Sequence, residues 1–354
     1  ASDWSSDVCS SDLKENWYIA CLASELGSRK PVSREIYDQS LVLFRDEKGK
    51  VHCLPNRCLH RNARLSEGVI LPGGKLGCPY HGWVYSGDGR VLEVPSRGPG
   101  SPPLSLCHRS FPAIEQDGCV WIWMGSQPPP GPPPFRFPSH ELSSWNSYFM
   151  ITDFENEVGN LAENFMDVPH TIFVHKGWFR KQSLRKVPIR VETARGNVLV
   201  TYQQPNDEIG FSSYVLNPSG EAMLHTDRFI LPNITRVDYT FGRRSGFVIT
   251  SQITPLSTLK SRVYTEIVYK LAGPRWLSAA LRPFLRLYTR QVIGQDVEIM
   301  ANQAVNLRRD LFAPQQNTEA DLIHTEIQEL RHLARQGNPS AREIARKEER
   351  EIWI

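Results

Sequence analysis

No run of eighteen or more apolar residues occurs in the chain, which argues against a membrane-spanning helix and leads us to expect a soluble protein. Cysteine is scarce. Seven in 354 residues, irregularly spaced and odd in number, exclude a fully paired disulfide scaffold and fit a reducing, cytoplasmic setting. Charge of one sign is not in excess either: 41 Lys and Arg stand against 38 Asp and Glu, spread along the chain, so composition makes no case for a nucleic-acid partner. No Gly-rich dinucleotide fingerprint follows any strand pattern, so the chain is not expected to take hydride from NAD(P)H itself. Solenoid repeats and long low-complexity segments are absent. What remains, at 40% hydrophobic and 22% charged, is an ordered chain long enough for two domains.

Residues 1–13, ASDWSSDVCSSDL, repeat Ser-Ser-Asp without apolar periodicity. Asp7 to Leu13 is what a common sequencing-adapter end gives when translated, so this leader is expected to be foreign. It lacks the basic start and apolar stretch of a secretory signal. From Trp17 to about Gly125 the pattern is short β runs. LVLFRD (41–46) and VHCL (51–54) flank Glu47-Lys48-Gly49-Lys50, and WVYS (83–86) and VLEV (91–94) flank Gly87-Asp88-Gly89-Arg90; both read as hairpins. CVWIWMG (119–125) reads as a buried strand. In SQPPPGPPPFRFP (126–138) seven of thirteen residues are proline, so neither helix nor central strand persists and a semi-rigid boundary is expected. Beyond it, 156–175 read as helix, and 187–205, 228–239, 244–256 and 261–271 as long antiparallel strands. A helix from about Pro283 to Arg309 and a polar helical tail follow. The fold class is α+β, with an all-β domain over 14–130 and an α+β domain over 131–354.

Two constellations carry chemistry. Cys58-Leu59-His60 and Cys78-Pro79-Tyr80-His81 form C-x-H-x17-C-x2-H, each pair in a loop between strands. Two thiolates and two imidazoles suit iron–sulfur or zinc. Side chains two apart in an extended segment point the same way, so one loop can offer sulfur and nitrogen together. CLHR with CPYHGW resembles the Rieske [2Fe–2S] motif. That resemblance implies Cys58 and Cys78 on one iron and His60 and His81 on the other; a structural zinc site is the alternative. Cys21, Cys53, Cys107 and Cys119 sit in apolar contexts and read as core.

The second constellation is ENFMDVPHTIFVH, with Glu163, Asn164, Asp167, His170 and His175. On an ideal helix at ~100° per residue, Asp167 lies about 40° and His170 about 20° from Glu163, so the three share a face, but His175 lies about 140° from His170. The helix must bend or end for both histidines to meet one metal, and Pro169 offers a cause. Two imidazoles need one carboxylate for a facial triad on non-haem Fe(II). Asp296 in RQVIGQDVEIMANQ is the candidate, with Glu298 two residues on.

From about Trp17 to Arg309 the chain resembles the catalytic (α) subunit of a Rieske non-haem iron oxygenase. The resemblance implies a Rieske domain followed by a helix-grip catalytic domain, with His170, His175 and Asp296 on a mononuclear Fe(II). The family's usual Glu-Asp pair is altered here to Gln295-Asp296. Asp167 matches the bridging aspartate, which implies a link from His81 of one subunit to His170 of the next and hence a homotrimer. The implied activity is O2-dependent hydroxylation or O- or N-demethylation of a small, aromatic or methylated substrate. Electrons come from NAD(P)H only indirectly, through a separate reductase with or without a ferredoxin. Arg57, Arg61, Arg64 and Lys75 around the cluster loops suit an acidic partner. The alternatives are a ring-hydroxylating dioxygenase of an aromatic acid, a non-catalytic Rieske electron-transfer protein, and a zinc-stabilised binding module.

Overall fold

The computed structural model describes residues 13–133, 135–176, 185–203, 220–242, 245–271, 275–311 and 313–353. The leader thus lies outside the described residues up to residue 12. The chain divides into two compact units between Arg136 and Phe137, later than the expected boundary at residue 130. The reason is local: Trp17 Nε1 donates to the Gly131 carbonyl at 3.0 Å, and Gln116 Nε2 donates to Phe135 at 2.8 Å, which tie the end of the proline-rich segment to the first unit.

The first unit is all-β, as its hairpin signals predict. Strands β1 (Trp17–Leu22), β9 (Ala113–Gln116) and β10 (Cys119–Trp123) form one sheet; β2 (Val32–Ile36), β3 (Gln39–Arg45) and β4 (Val51–Pro55) form a second. The third holds β5 (Val69–Leu71), β6 (Lys75–Gly77), β7 (Val84–Tyr85) and β8 (Val91–Glu93). Asp46 Oδ1 closes the β3–β4 turn by accepting from the Lys48 and Lys50 amides at 2.9 Å each, and Gly49 takes φ +79°, which a residue without Cβ adopts freely. Strand β10 is buried at every position. Cys21, Cys53 and Cys119 are core residues, but Cys107 is exposed: it pairs with Arg90 in an isolated bridge outside any strand, so its apolar neighbours in sequence do not enclose it.

The second unit is an eight-stranded antiparallel sheet with helices against it. Its order is β11-β17-β16-β15-β14-β13-β12-β18, where β11 is Asn146–Phe154, β12 Lys186–Ala194, β13 Asn197–Tyr202, β14 Met223–Ile230, β15 Ile234–Phe241, β16 Ser245–Ser257, β17 Lys260–Lys270 and β18 Ala345–Trp353. Two expected long strands are instead hairpins. The first turns at Arg195-Gly196, both with positive φ, the conformation a two-residue type I′ turn requires; the second turns between Ile230 and Ile234. The end of the polar tail is strand rather than helix: β18 pairs with β12, Arg190 and Glu349 meet across it at 2.9 Å, and Ile352 is buried. Its charges suit an edge strand.

Three helices matter for the site: α1 (Val158–Met166), α2 (Arg282–Leu307) and α3 (Leu322–Arg335). Helix α1 buries Val158, Leu161, Ala162 and Met166 against the sheet core; full burial of a side chain such as Leu161 contributes about 1.5–3 kcal/mol. Along α2 the buried residues are Asp296, Met300, Ala304 and Leu307, a single stripe at three- and four-residue spacing. Asn156 Nδ2 donates to the Met300 carbonyl at 2.9 Å and to Gln303 Oε1 at 2.8 Å, while its Oδ1 accepts from Glu157 and Asn160 at the start of α1. One buried amide thus fastens α1 to α2. No helix among the described residues is long and apolar enough to cross a membrane.

Candidate metal centres

The first site is built on two loops that share one backbone plan. In the β4–β5 loop, the Cys58 amide donates to Ala63 and the Asn62 amide returns to Cys58, at 2.8 and 2.9 Å. In the β6–β7 loop, the Cys78 amide donates to Trp83 and the Gly82 amide returns to Cys78, at 2.8 and 3.2 Å. The fifth residue of each turn is left-handed, Asn62 at φ +56° and Gly82 at φ +68°, residue types that bear this conformation. Both thiols are buried and free, and they interact with each other. Burial pushes the Cys78 thiol up, while the Tyr80 and His81 amides pull it down by favouring sulfur's charge. Tyr85 lies 3.1 Å from Cys58 Sγ and accepts from the Leu59 amide at 2.9 Å, which fixes its hydroxyl beside the sulfur.

His60 stacks on Trp83 with ring centroids 5.0 Å apart and planes 3° apart, and its centroid lies 4.6 Å from that of His81. His60 Nδ1 is buried with no hydrogen-bond partner. A buried polar atom without a partner is costly, and here it belongs to a ring packed on a second imidazole, each in a loop that also carries a buried free thiol. This donor set fits a [2Fe–2S] cluster with mixed sulfur and nitrogen ligation. His81 is exposed, as are Arg57, Arg61 and Arg64; Lys75 is engaged by Glu93 at 2.9 Å.

The second site lies where α1 ends. Helix α1 stops at Met166, Asp167 is extended at ψ 105°, and a 3-10 turn runs from Pro169 to Ile172. Pro169 has no N–H to continue the α1 ladder. The ideal-helix face therefore does not survive: Glu163 points to α3, where its Oε2 lies 2.7 Å from His324 Nδ1, and Asn164 faces the site instead. The turn brings His170 and His175 together with Asp296 of α2. Their Nε2 atoms are 3.3 Å apart and lie 3.5 and 3.2 Å from Asp296 Oδ1. Ligands at bonds of ~2.1 Å are separated by about 3.0–3.4 Å, so the three atoms fit around one ion. Glu298 is exposed.

Each remaining imidazole nitrogen has an acceptor. His170 Nδ1 meets the Asp167 carbonyl, and His175 Nδ1 lies 2.9 Å from Gln295 Oε1. Both rings therefore direct Nε2 inward, where the bare nitrogen can bind a metal once its proton is displaced. The Asp167 carboxylate accepts from the His170 amide at 3.1 Å, lies 3.6 Å from His170 Nδ1, and is 39% exposed. Asn164 Nδ2 donates to Asp296 Oδ1 at 3.2 Å. Without metal, burial opposes a charge on His170, but hydrogen bonds to Asp167 and Asp296 outweigh it and raise it to about 9. Burial also opposes ionisation of Asp296, yet the two imidazoles hold it down at about 2. Gln295 and Asn164 were visible in the sequence only as neighbours of the ligands; nothing in their spacing marks the bonds they make.

Above the triad is a cavity of about 150 Å³ between α1, α2 and the sheet, walled largely by apolar groups including Phe154, Phe165, Val237, Ile249 and Ile293.

Comparison with known proteins places these sites in context. Residues 16–112 match the Rieske [2Fe-2S] domain, and residues 155–333 match the vanillate O-demethylase oxygenase C-terminal domain. The oxygenase component of dicamba O-demethylase from Stenotrophomonas maltophilia is 33% identical over 196 residues, 54% of this chain and 56% of that protein. Chlorophyllide a oxygenase of Arabidopsis thaliana is 36% identical over 170 residues, 48% of this chain and 30% of that protein. The match thus spans just over half of the first relative and under a third of the second. In fold, caffeine-bound NdmA of Pseudomonas putida CBB5 superposes with a TM-score of 0.76 at 20% identity, covering 97% of this chain and 98% of that one. Dicamba monooxygenase bound to dicamba gives 0.74 at 22%, covering 92% and 98%.

Proposed function

The chain belongs to the Rieske oxygenases whose catalytic half is the vanillate O-demethylase oxygenase C-terminal domain, and from that premise we propose that it oxidises a small organic substrate with O2, by hydroxylation or oxidative demethylation. The observation that carries this reading is the inward-facing His170, His175 and Asp296 set under an apolar cavity, in a chain that also holds the Cys58, His60, Cys78 and His81 loops. When bound, the two iron groups supply one-electron delivery and O2 activation, which side chains lack.

The chain's own residues do the rest. Gln295 and the Asp167 carbonyl hold each imidazole in the tautomer that leaves Nε2 free. Asn164 keeps Asp296 Oδ1 turned toward the histidines. The apolar wall excludes bulk water, so a methyl group can be presented without competing solvent. In a demethylation, one oxygen atom enters the methyl carbon and the other leaves as water, consuming two electrons and two protons; the hydroxymethyl group then departs as formaldehyde.

We assign Asp167 as the link between subunits: its carboxylate is open enough to accept from His81 of the partner subunit while it holds the His170 amide. With this link repeated head to tail, we infer a homotrimer as the working unit. Apolar side chains exposed on α2, Phe284, Leu287 and Val305, support burial of that helix against another copy. Electrons are drawn from a separate reductase, which the exposed Arg57, Arg61 and Arg64 would attract if its docking face is acidic. The test is O2 consumption and formaldehyde release by the iron-loaded chain with a surrogate reductase and NADH, across methoxy- and N-methyl-aromatic substrates. Substrate-dependent O2 uptake is expected; a colourless, zinc-containing protein without uptake would refute the reading.

A further inference from the structure

The cavity above the triad holds a charged group that ligand binding to metal does not use. Asp227 lies on β14, whose alternation buries Met223, His225, Asp227 and Phe229 and turns Leu224 and Arg228 outward. It is 1% exposed, yet it lines the same cavity as His170, His175 and Asp296.

The sheet register names its neighbours. Across the strands, Asp227 faces Val200 on β13 and Val237 on β15; along its own strand the same face offers His225 and Phe229. Of these four only His225 can donate, and its Nε2 lies 2.9 Å from Asp227 Oδ1. That imidazole is held between Tyr202 and Tyr239, with ring centroids at 4.1 and 4.0 Å and near-parallel planes. His225 Nδ1 is buried without a partner. A bare lone pair there is less costly than a bare N–H on an imidazolium, so hydrogen-bond accounting favours a neutral ring that donates from Nε2. The negative charge of Asp227 is then not cancelled. No Lys or Arg is among the described residues lining the cavity. The buried Tyr202 hydroxyl, near Asp227, is pushed well up by burial and then by that carboxylate's charge, so it stays a protonated donor and adds no countercharge.

A buried carboxylate without a cation is expensive unless something brings one. The cavity volume, about 150 Å³, is the size that accommodates a single benzene ring. We propose that Asp227 determines the substrate specificity of this cavity and that it receives the ammonium of a single-ring arylalkylamine. Ring carboxylates and sulfonates are disfavoured, since Asp227 repels them and no described lining residue neutralises them. That the occupant is a substrate rests on the oxygenase reading; the ligand chemistry rests on the cavity wall.

The experiment measures equilibrium binding of benzylammonium, benzyl alcohol and benzoate to the full iron-loaded chain held anaerobically, so that turnover plays no part. Benzylammonium should bind at least about tenfold more tightly than either of the others. In Asp227→Asn that advantage should fall to within about twofold, with benzyl alcohol unchanged and the cluster spectrum intact. Equal binding of the three by the wild-type chain, or no saturable binding of benzylammonium, overturns the proposal even if the variant does not accumulate. A variant that weakens the alcohol as much as the ammonium shows a merely structural role and overturns it too. A wild-type chain without selectivity for benzylammonium but with substrate-dependent O2 uptake would remove only the role of Asp227; selective binding without O2 uptake under reductant would instead remove the oxygenase reading.

Discussion

Replacing Gln295 with leucine removes the acceptor that fixes the His175 tautomer, while sparing all three proposed ligands. In the native chain Gln295 Oε1 lies 2.9 Å from His175 Nδ1, and His175 is 4% exposed. Leucine leaves a buried Nδ1–H unpaired, which costs about 1–3 kcal/mol. The ring can escape that cost by moving its proton to Nε2, but this turns an N–H instead of a lone pair toward the metal position. Either way metal affinity falls. Loss of such an outer hydrogen bond costs roughly 10–100-fold in affinity. Gln295→Glu should do the reverse, since a carboxylate is the stronger acceptor from imidazole. The assay is a competitive Co(II) or Fe(II) titration of protein whose cluster is already in place, with the cluster's visible spectrum as the control for folding. Leu and Glu variants that both bind metal within about twofold of the native chain would refute the reasoning.

His81→Cys should lower the cluster potential toward all-thiolate values because a neutral ligand becomes anionic; voltammetry showing an unchanged potential in a cluster-loaded variant would count against the assigned ligand. Asp167→Asn should keep both metal groups yet slow oxidation of a prereduced cluster severely, because an amide lacks the charge that holds two imidazole donors; single-turnover rates equal to the native ones would remove the bridge. In metal-free protein, His170 is raised to about 9. Its stabilising contribution is therefore full below ~6.5 and is lost as pH rises through that raised value. Urea unfolding should show metal-free protein less stable at about pH 10 than at about pH 6, and bound metal, which displaces the proton, should remove this dependence. A metal-free profile that rises over this interval would contradict the assignment.

The metal motifs were legible because they are short and local. Cys58 and His60, or Cys78 and His81, reach one place through a turn of a few residues, and spacing encodes that directly. The break after α1 was also legible, because Pro169 imposes it whatever surrounds it. Long-range packing was not. Glu163 lies on the face that helical periodicity assigns to the metal, yet it is drawn to His324, 161 residues onward by number, and no local pattern reports that pairing. Strand β18 resembles a polar helix in sequence because charge at six of its nine positions hides a period of two; its pairing with β12 shapes it. The β12–β13 and β14–β15 turns were hidden by continuous β-forming sequence on both sides, although Arg195-Gly196 carried the turn chemistry. Cys107 shows the converse failure, apolar neighbours in sequence that do not surround it in space.

The matched plan of the two cysteine loops bears on how the protein matures. Each loop closes through its own amide bonds, Cys58 with Ala63 and Asn62, Cys78 with Trp83 and Gly82, so backbone hydrogen bonds favour the turn that carries each pair of donors. These bonds offset part of the ordering entropy of the loops, on the order of 1–2 kcal/mol per residue, which cofactor insertion would otherwise have to overcome alone. A scaffold that delivers a preassembled cluster would therefore meet a receptive cradle, and ligand exchange could proceed one sulfur at a time without the surrounding sheet unravelling. Incorporation should then depend on access to the rim at exposed His81.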